Sequence, residues 1–526
     1  MEKKNAPECK YSNTVTKEHR KQFAQYFTPR QIADIMADWL LGCKRLDSVL
    51  EPAFGLGIFS RSLIEKNYSG SILGYEIDDV ILNEAKEIFN SNNKIEIKNQ
   101  DYIYSNWRDK FDGIICNPPY FRFQDFDNRG ATEEIKKHLK LDFSGFTNLY
   151  AYFLIKSVSQ LKEGGRCAYI IPSEFMNSDY GVQIKEYLLA SKRLRHVIVF
   201  NFEEQLFDDA ITTSSIILCA NDGNSDAVSF TNINNASELD RIKDLIYAYP
   251  TIPAFCKSYV QSEMKSEIKW KSYYHPLNQS RFSHLVPFST FAKVSRGIAT
   301  GANNYFKFNL SKAKQFGIPA KNLKPCICHC VDVRGSFFSQ ADFNSLRDKD
   351  KYVYIFDGAN SKSPAVLKYI EKGVSEKCHE KFLTKSRNPW YALEKRSPAP
   401  IWVSVFSRNK LNFVRNTSNA TCLTTFHCIY PKEALFNSVP IELLFAYLIS
   451  NTARLIFGDN GREYGNGLSK FEPNDLNKGM MLDLRELDDN TNQAILREFK
   501  SYQRGDTEAI ANIDRILQNF FIRNEE

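Results

Sequence analysis

Between Ser48 and Tyr120 the chain alternates short apolar runs with amphipathic stretches, and each apolar run stops at side chains equipped to hold a ligand. Ser48-Val-Leu-Glu51 runs into Pro52-Ala53-Phe54-Gly55-Leu56-Gly57. Ser71-Ile-Leu-Gly-Tyr-Glu76 ends on a carboxylate followed by Ile77-Asp78. A third run, around residues 95–97, leads to Asn99-Gln100-Asp101-Tyr102, and a fourth, Phe111-Asp-Gly-Ile-Ile-Cys116, leads to Asn117-Pro118-Pro119-Tyr120. Strands separated by helical stretches predict an α/β domain with a parallel sheet. In such a sheet ligands collect at the carboxyl ends of the strands. One such pairing arises easily by chance, but four in order narrow the chain to an open, ligand-binding α/β domain.

Each strand end has its own chemistry. Gly55 and Gly57 permit a tight turn and close approach of backbone to a ligand, but the third glycine of the dinucleotide fingerprint is missing. Glu76 lies about 20 residues past that turn, where a carboxylate can take both hydroxyls of a ribose. Asp101 and Tyr102 offer an acidic and an aromatic group beside an adenine ring. Asn117 supplies an amide oxygen, while Pro118 and Pro119 fix the backbone and remove its donors. Tyr120 then presents an aromatic face. Read alone, a Pro-Pro pair only ends a strand; after three ligand-competent ends it is expected to be an active site.

Upstream, residues 1–21 are polar and charged, so they predict a loose lead-in and no secretory signal. Thr28 is placed to cap a helix with Pro29 at its first position and Gln31 completing a capping box. Ile32, Ile35, Met36, Trp39 and Leu40 give that helix one apolar face. Downstream, a helix from Asn148 is expected to stop at Gly164-Gly165, with further strands over residues 166–172, 196–200 and 214–219. Phe207 stands out as one aromatic in the loop before the last of these. The boundaries expected are a catalytic domain over 22–225, a connector over 226–285, a differently textured domain over 286–482 and a helical segment over 483–526. In the third part Lys385, Arg387, Trp390, Tyr391, Lys395, Arg396, Arg408, Lys410 and Arg415 mix cations with aromatics, which suits phosphate contact and base stacking or simply a solvated face.

Composition adds bounds. The 526 residues allow two or three domains, no apolar run is long enough to span a bilayer, and the net charge of +7 weakly favours a polyanionic partner. Twelve cysteines without framework spacing predict reduced thiols in the cytoplasm. Cys326-Ile-Cys328-His329-Cys330 alternates as one face of a buried strand; no second ligand pair follows at zinc spacing, so no metal is expected.

Taken together, Tyr26-Phe27-Thr28-Pro29, Glu51-Pro-Ala-Phe-Gly55-Leu-Gly57, Glu76-Ile77-Asp78, Asp101, Asn117-Pro-Pro-Tyr120, the Asn148-Leu-Tyr helix, Gly164-Gly165 and the Phe207 loop resemble, in that order, the S-adenosylmethionine-dependent DNA adenine-N6 methyltransferases of the gamma group found in type II restriction–modification systems. Val294-Ser-Arg296-Gly297-Ile-Ala-Thr300-Gly301 and the stretch from Arg462 to Pro473 resemble the recognition domains of the same family. One departure is Phe54, where many relatives carry cysteine. The resemblance implies a class I methyltransferase fold, a Rossmann-like seven-stranded sheet followed by an α+β DNA target-recognition domain. It implies S-adenosylmethionine as cofactor, double-stranded DNA as partner, a cognate restriction endonuclease acting separately, no membrane and a monomer. By position, Phe27, Thr28, Glu51, Pro52, Ala53, Gly55 and Gly57 would hold the methionine end of the cofactor, and Glu76 its ribose. Ile77, Asp101 and Tyr102 would hold its adenine. Asn117, Pro118, Pro119 and Tyr120 would form the catalytic turn, with Asn117 also bordering the cofactor. A flipped-out adenine would stack between Tyr120 and Phe207. The rival readings are an RNA or protein-glutamine methyltransferase and a methyltransferase subunit of a larger DNA-defence system.

Overall fold

The computed structural model describes residues 6–121, 126–143, 145, 147–200, 214–275, 277–407, 411–432, 439–464 and 468–522. The chain divides into two compact units, Met1–Pro276 with Arg462–Gly467, and Leu277–Gly461 with Leu468–Glu526.

The first unit is built on nine strands: β1 Ser48–Glu51, β2 Ser71–Glu76, β3 Ile95–Asn99, β4 Phe111–Cys116, β5 Leu161–Pro172, β6 Leu194–Phe200, β7 Ser214–Ala220, β8 Ala227–Ile233 and β9 Lys257–Val260. Their order is β3-β2-β1-β4-β5-β7-β6-β8-β9. Strands β1 to β5 pair in parallel, and β7 runs antiparallel between β5 and β6. The first seven positions are the seven-stranded class I sheet that the motif order implied. The direction of the chain reverses between β1 and β4, which puts the ends of β1, β2 and β4 around one crevice.

Alternation along the strands feeds two cores. Leu50, Ile114, Cys116, Cys167, Tyr169 and Ile171 face a layer that includes the helix Leu149–Ser159. Val49, Ile115, Ala168 and Ile170 face the helices Arg30–Leu41 and Ile58–Glu65. Both faces are covered, as a largely parallel sheet requires.

Four expectations are corrected. The stretch 226–285 is not a connector, because β8 pairs parallel to β6 and β9 pairs with β8, and the division between units falls at 276/277. Of the expected loose lead-in, residues 6–21 are ordered instead, because helices Pro7–Thr14 and Lys17–Gln22 form and Tyr11 is buried. The Asn148 helix ends at Ser159, not at the glycines. Gly164-Gly165 lie within β5, where the pairing with β4 slips between Leu161 and Arg166. Finally, the C-terminal helices Asp489–Gln503 and Ala509–Phe521 are no separate segment; Phe499, Ile513 and Leu517 share one core with Val294, Ile401 and Phe445.

In the second unit a strand of the five-stranded sheet, Ala292–Arg296, carries the start of the motif that resembled a recognition domain. Gly297 is required there, since a Cβ would meet the Leu423 carbonyl oxygen at 2.2 Å. Cys326 and Cys328 are buried as expected, but Cys330 is exposed in a tight turn, so the alternation stops one residue pair early. Among the described residues no cluster of His, Cys, Asp or Glu could hold a metal. No single described helix is long and apolar enough to cross a membrane.

Candidate active site

The ends of β1 and β2 fold onto one another through backbone hydrogen bonds to a carboxylate. After β1 the chain turns through Gly55 and Gly57, at φ +52° and +66°, a region that favours glycine. Glu76 closes this turn: its Oε2 accepts from Gly55 N at 2.9 Å, and its Oε1 accepts from Ile77 N at 2.8 Å and Asp78 N at 3.0 Å. Phe54 lies over Gly74, where a Cβ would meet its ring at 2.2 Å, so the bulkier residue in the turn is matched by a missing side chain on β2.

Glu51 sits beneath the turn, 1% exposed. Its Oε2 accepts from Ser60 N at 3.1 Å and Ser60 Oγ at 2.5 Å, while its Oε1 is buried with no partner among the described residues. Burial pushes the carboxyl up to about 8, against the opposing pull of the Ser60 bonds and the Arg61 charge. Asp101, at the end of β3, accepts from Ile103 N at 2.8 Å, and burial raises its pKa too. Tyr102 also lines the cavity, with its ring packed into the core. It is 1% exposed, with its hydroxyl donated to Gln160 Oε1 at 2.6 Å on the far side. Ile77, 49% exposed, keeps an apolar face open.

At the end of β4 the Asn117 amide is tied down at one end only. Its Nδ2 donates to the Tyr26 carbonyl at 2.8 Å and the Thr28 hydroxyl at 3.0 Å, which uses both hydrogens. Its Oδ1 is buried with no hydrogen-bond partner among the described residues. The expected helix cap at Thr28 is therefore corrected: the helix starts at Arg30 with Pro29 as its flanking residue and no side-chain cap, and the Thr28 hydroxyl serves Asn117 instead. Tyr120 donates its hydroxyl to Ile170 O at 3.1 Å, and its ring stacks on that of Tyr26, 5.7 Å between centroids and 20° between planes. Phe207, Arg122 and Phe123 lie outside the described residues, as do Arg408 and Lys410.

The N-terminal helices supply a wall that the sequence reading missed. Asp78, 2% exposed, accepts from Gln25 Nε2 at 2.6 Å, His19 Nε2 at 2.8 Å, Tyr11 Oη at 3.3 Å and Val80 N at 3.0 Å. Glu8 pairs with Arg61 on the helix after the glycine turn. A cavity of about 910 Å³, open to solvent, results. Phe27, Thr28, Glu51, Gly55, Glu76, Ile77, Asp101, Asn117 and Pro118 all line it. Among the described residues its lining holds four carboxylates (Glu8, Glu51, Glu76 and Asp101) and no lysine, arginine or histidine. Such a cavity suits a cationic ligand. The partnerless Glu51 Oε1 matches an ammonium group, and Asp101 with Ile77 offers an acceptor and an apolar face to a purine. S-adenosylmethionine, with its sulfonium, amino group and adenine, fits this set of acceptors.

Several cations singled out in the second unit are structural. Arg387 donates to the Thr300 carbonyl at 2.9 Å, Arg415 to that of Pro400 at 3.0 Å, and Arg396 to Ser295 Oγ at 3.0 Å. Trp390 packs against Tyr305 and over Gly373. Lys385 and Lys395 are exposed.

Comparison with known proteins identifies the chain's relatives. Residues 53–207 match the Eco57I restriction-modification methylase family, and residues 272–517 match the C-terminal domain of the type II methyltransferase M.Eco57I. The chain is 53% identical to the type II methyltransferase M.AccI of Acinetobacter calcoaceticus over 98% of its own length and 96% of the relative's. It is 27% identical to M.HindII of Haemophilus influenzae over 54% and 55% of the two chains. Among solved structures, a nuclease-deletion mutant of the Type ISP restriction-modification enzyme LlaGI, in complex with a DNA substrate mimic, shares the fold. Its TM-score is 0.51 at 12% identity, covering 91% of this chain and 54% of that one. With more than half of its residues shared with M.AccI over nearly the whole of both chains, the chain belongs to the type II DNA methyltransferases of restriction–modification systems, with S-adenosylmethionine as cofactor.

Proposed function

We propose that the chain methylates N6 of an adenine flipped out of duplex DNA at a defined site, protecting cytoplasmic DNA from a separate cognate endonuclease, and that it acts as a monomer. The observation that carries this reading is the Asn117 amide, held by two acceptors at its nitrogen with its oxygen left partnerless at the cavity. An exocyclic amino nitrogen is a poor nucleophile because its lone pair is delocalised into the ring. Asn117 Oδ1 and the Pro118 carbonyl accept its two hydrogens, which draws the nitrogen towards a pyramidal shape and localises the lone pair. These preorganised acceptors also stabilise the positive charge that develops on nitrogen. Bound S-adenosylmethionine supplies an electrophilic methyl group on sulfur. Glu51 receives its amino group, Glu76 its ribose and Asp101 its adenine amino group. Flipping the base costs a few kcal/mol. Stacking on Tyr120, with Phe207 assigned to the other face by resemblance alone, returns about 1–3 kcal/mol.

The same pair of acceptors suits the amino group of cytosine, so base identity rests on the resemblance of Asn117-Pro-Pro-Tyr120 and its motif order to adenine-N6 enzymes. Duplex DNA methylated by the protein with labelled cofactor, then digested to nucleosides and separated by mass, tests it. All label is expected in N6-methyladenine. Label in N4-methylcytosine, or label transferred to RNA or protein in preference to DNA, would reject the reading.

A further inference from the structure

A primary amide has two ends of nearly equal shape and opposite hydrogen-bonding sense. If the Asn117 side chain were turned over, it would present two N–H groups to an amino group that also donates, and no acceptor would face the substrate. Something must therefore select its orientation before the base arrives. The Tyr26 carbonyl can only accept. Placed 2.8 Å from one end of the amide, it requires the NH2 there and would oppose Oδ1. One acceptor leaves the second amide hydrogen without a partner, and the Thr28 hydroxyl at 3.0 Å takes it. That hydroxyl is available because Pro29 disfavours helical backbone at residue 28. The helix then begins at Arg30 without a side-chain cap. Thr28 is 5% exposed, so no bulk water replaces it. The same turn carries the Tyr26 ring that stacks on Tyr120, so one short segment borders both the amide and the aromatic platform.

We propose that Thr28, together with the Tyr26 carbonyl, sets the Asn117 amide for methyl transfer, so that Thr28 is a positioning residue for the reaction and not chiefly a ligand of the methionine end of the cofactor. The inference rests on Asn117 being the acceptor for the target amino group. The two roles separate kinetically. A positioning residue changes the rate of the bound complex, whereas a cofactor ligand changes affinity.

The experiment compares wild type with Thr28→Val, Thr28→Ala, Thr28→Ser and Asn117→Ala, measuring cofactor Kd and single-turnover methyl transfer to duplex DNA at saturating cofactor. Both Thr28→Val and Thr28→Ala are expected to slow transfer roughly tenfold or more, the loss of one buried hydrogen bond, with cofactor Kd unchanged within about threefold. Thr28→Ser is expected to recover most of the rate because it restores the hydroxyl. Wild-type transfer rates in Thr28→Val and Thr28→Ala, or a loss explained wholly by weaker cofactor binding, would overturn the inference. Failure of Thr28→Ser to recover the rate would overturn it as well. Asn117→Ala separates the two levels: if it stays active, the underlying reading fails; if it is inactive while the Thr28 variants are normal, only this inference fails.

Discussion

Glu51 links cofactor binding to proton release in a way that can be worked out from its surroundings. In the cofactor-free protein its carboxyl is held near 8 by burial, with Oε1 lacking a partner among the described residues. A cofactor ammonium favours the ionised form, so binding at pH 7 must expel the proton that Glu51 holds. With a pKa of about 8, close to nine-tenths of a proton is released per site at pH 7. The sign follows from the raised value: protonated Glu51 opposes binding below pH 8, so affinity increases with pH. Between pH 6 and 7, where an α-amino group stays charged, the cofactor Kd is expected to tighten about ninefold. Glu76 and Asp101 are also shifted up by burial, so the readout is the difference between wild type and Glu51→Gln. Isothermal titration calorimetry in buffers of different ionisation enthalpy measures the released protons directly. Glu51→Gln is expected to bind more weakly and to lose most of the release and of the pH dependence. Equal proton release in both proteins, or an affinity that falls from pH 6 to 7, would refute the assignment of the amino group to Glu51.

Three further outcomes follow from named contacts. Glu76→Ala removes the acceptor of three backbone N–H groups, so a loss of about 3 kcal/mol or more in urea unfolding is expected together with loss of cofactor binding; an unchanged midpoint would show that the glycine turn holds itself. Asp78→Ala frees His19, Gln25 and Tyr11. Trypsin is then expected to cut faster at Lys17, Arg20 and Lys21, and cofactor Kd to rise; if neither changes, the N-terminal helices are not held by this carboxylate. Tyr120→Ala is expected to lower kcat/KM for DNA about 5- to 150-fold, the worth of one stacked base, with cofactor affinity preserved; an equal loss of cofactor affinity would instead mark Tyr120 as part of the cofactor wall.

What was legible in the sequence depended on range. Strands β1 to β4 could be read because their apolar runs are short and end on distinctive polar, glycine or proline residues, a local signal that does not depend on β1 pairing with the distant β4. Strand β8 could not, because its buried positions include Ser229 and Thr231. Their hydroxyls are satisfied by His196 at 2.7 Å and Cys256 at 3.1 Å, residues 33 and 25 positions away, so a strand with polar side chains inside looked like a connector. The N-terminal helices show the same difficulty, since Asp78, which anchors them, is 67 positions from Tyr11. Thr28 was misread for a related reason. The local pattern Thr-Pro favours a helix cap, but an acceptor was needed by Asn117, 89 positions away, and the long-range contact prevailed. The cations of the second unit carry less free charge than their sequence suggests, because Arg387, Arg396 and Arg415 are occupied by carbonyls and a serine in their own unit. Glu51, Glu76, Asp101 and Asn117 were legible as a set because the turn of an α/β sheet places strand ends together whatever fills the rest of the chain.

Methyl transfer here depends on the Asn117 amide oxygen, which has no partner among the described residues. The most direct test of this dependence is single-turnover methyl transfer by Asn117→Ala at saturating cofactor and duplex DNA, with cofactor affinity measured on the same preparation. Loss of the preorganised acceptor is expected to slow transfer by about 10²–10³ or more, with cofactor Kd within about threefold of wild type. Transfer at near the native rate by a variant that binds cofactor normally would contradict the account.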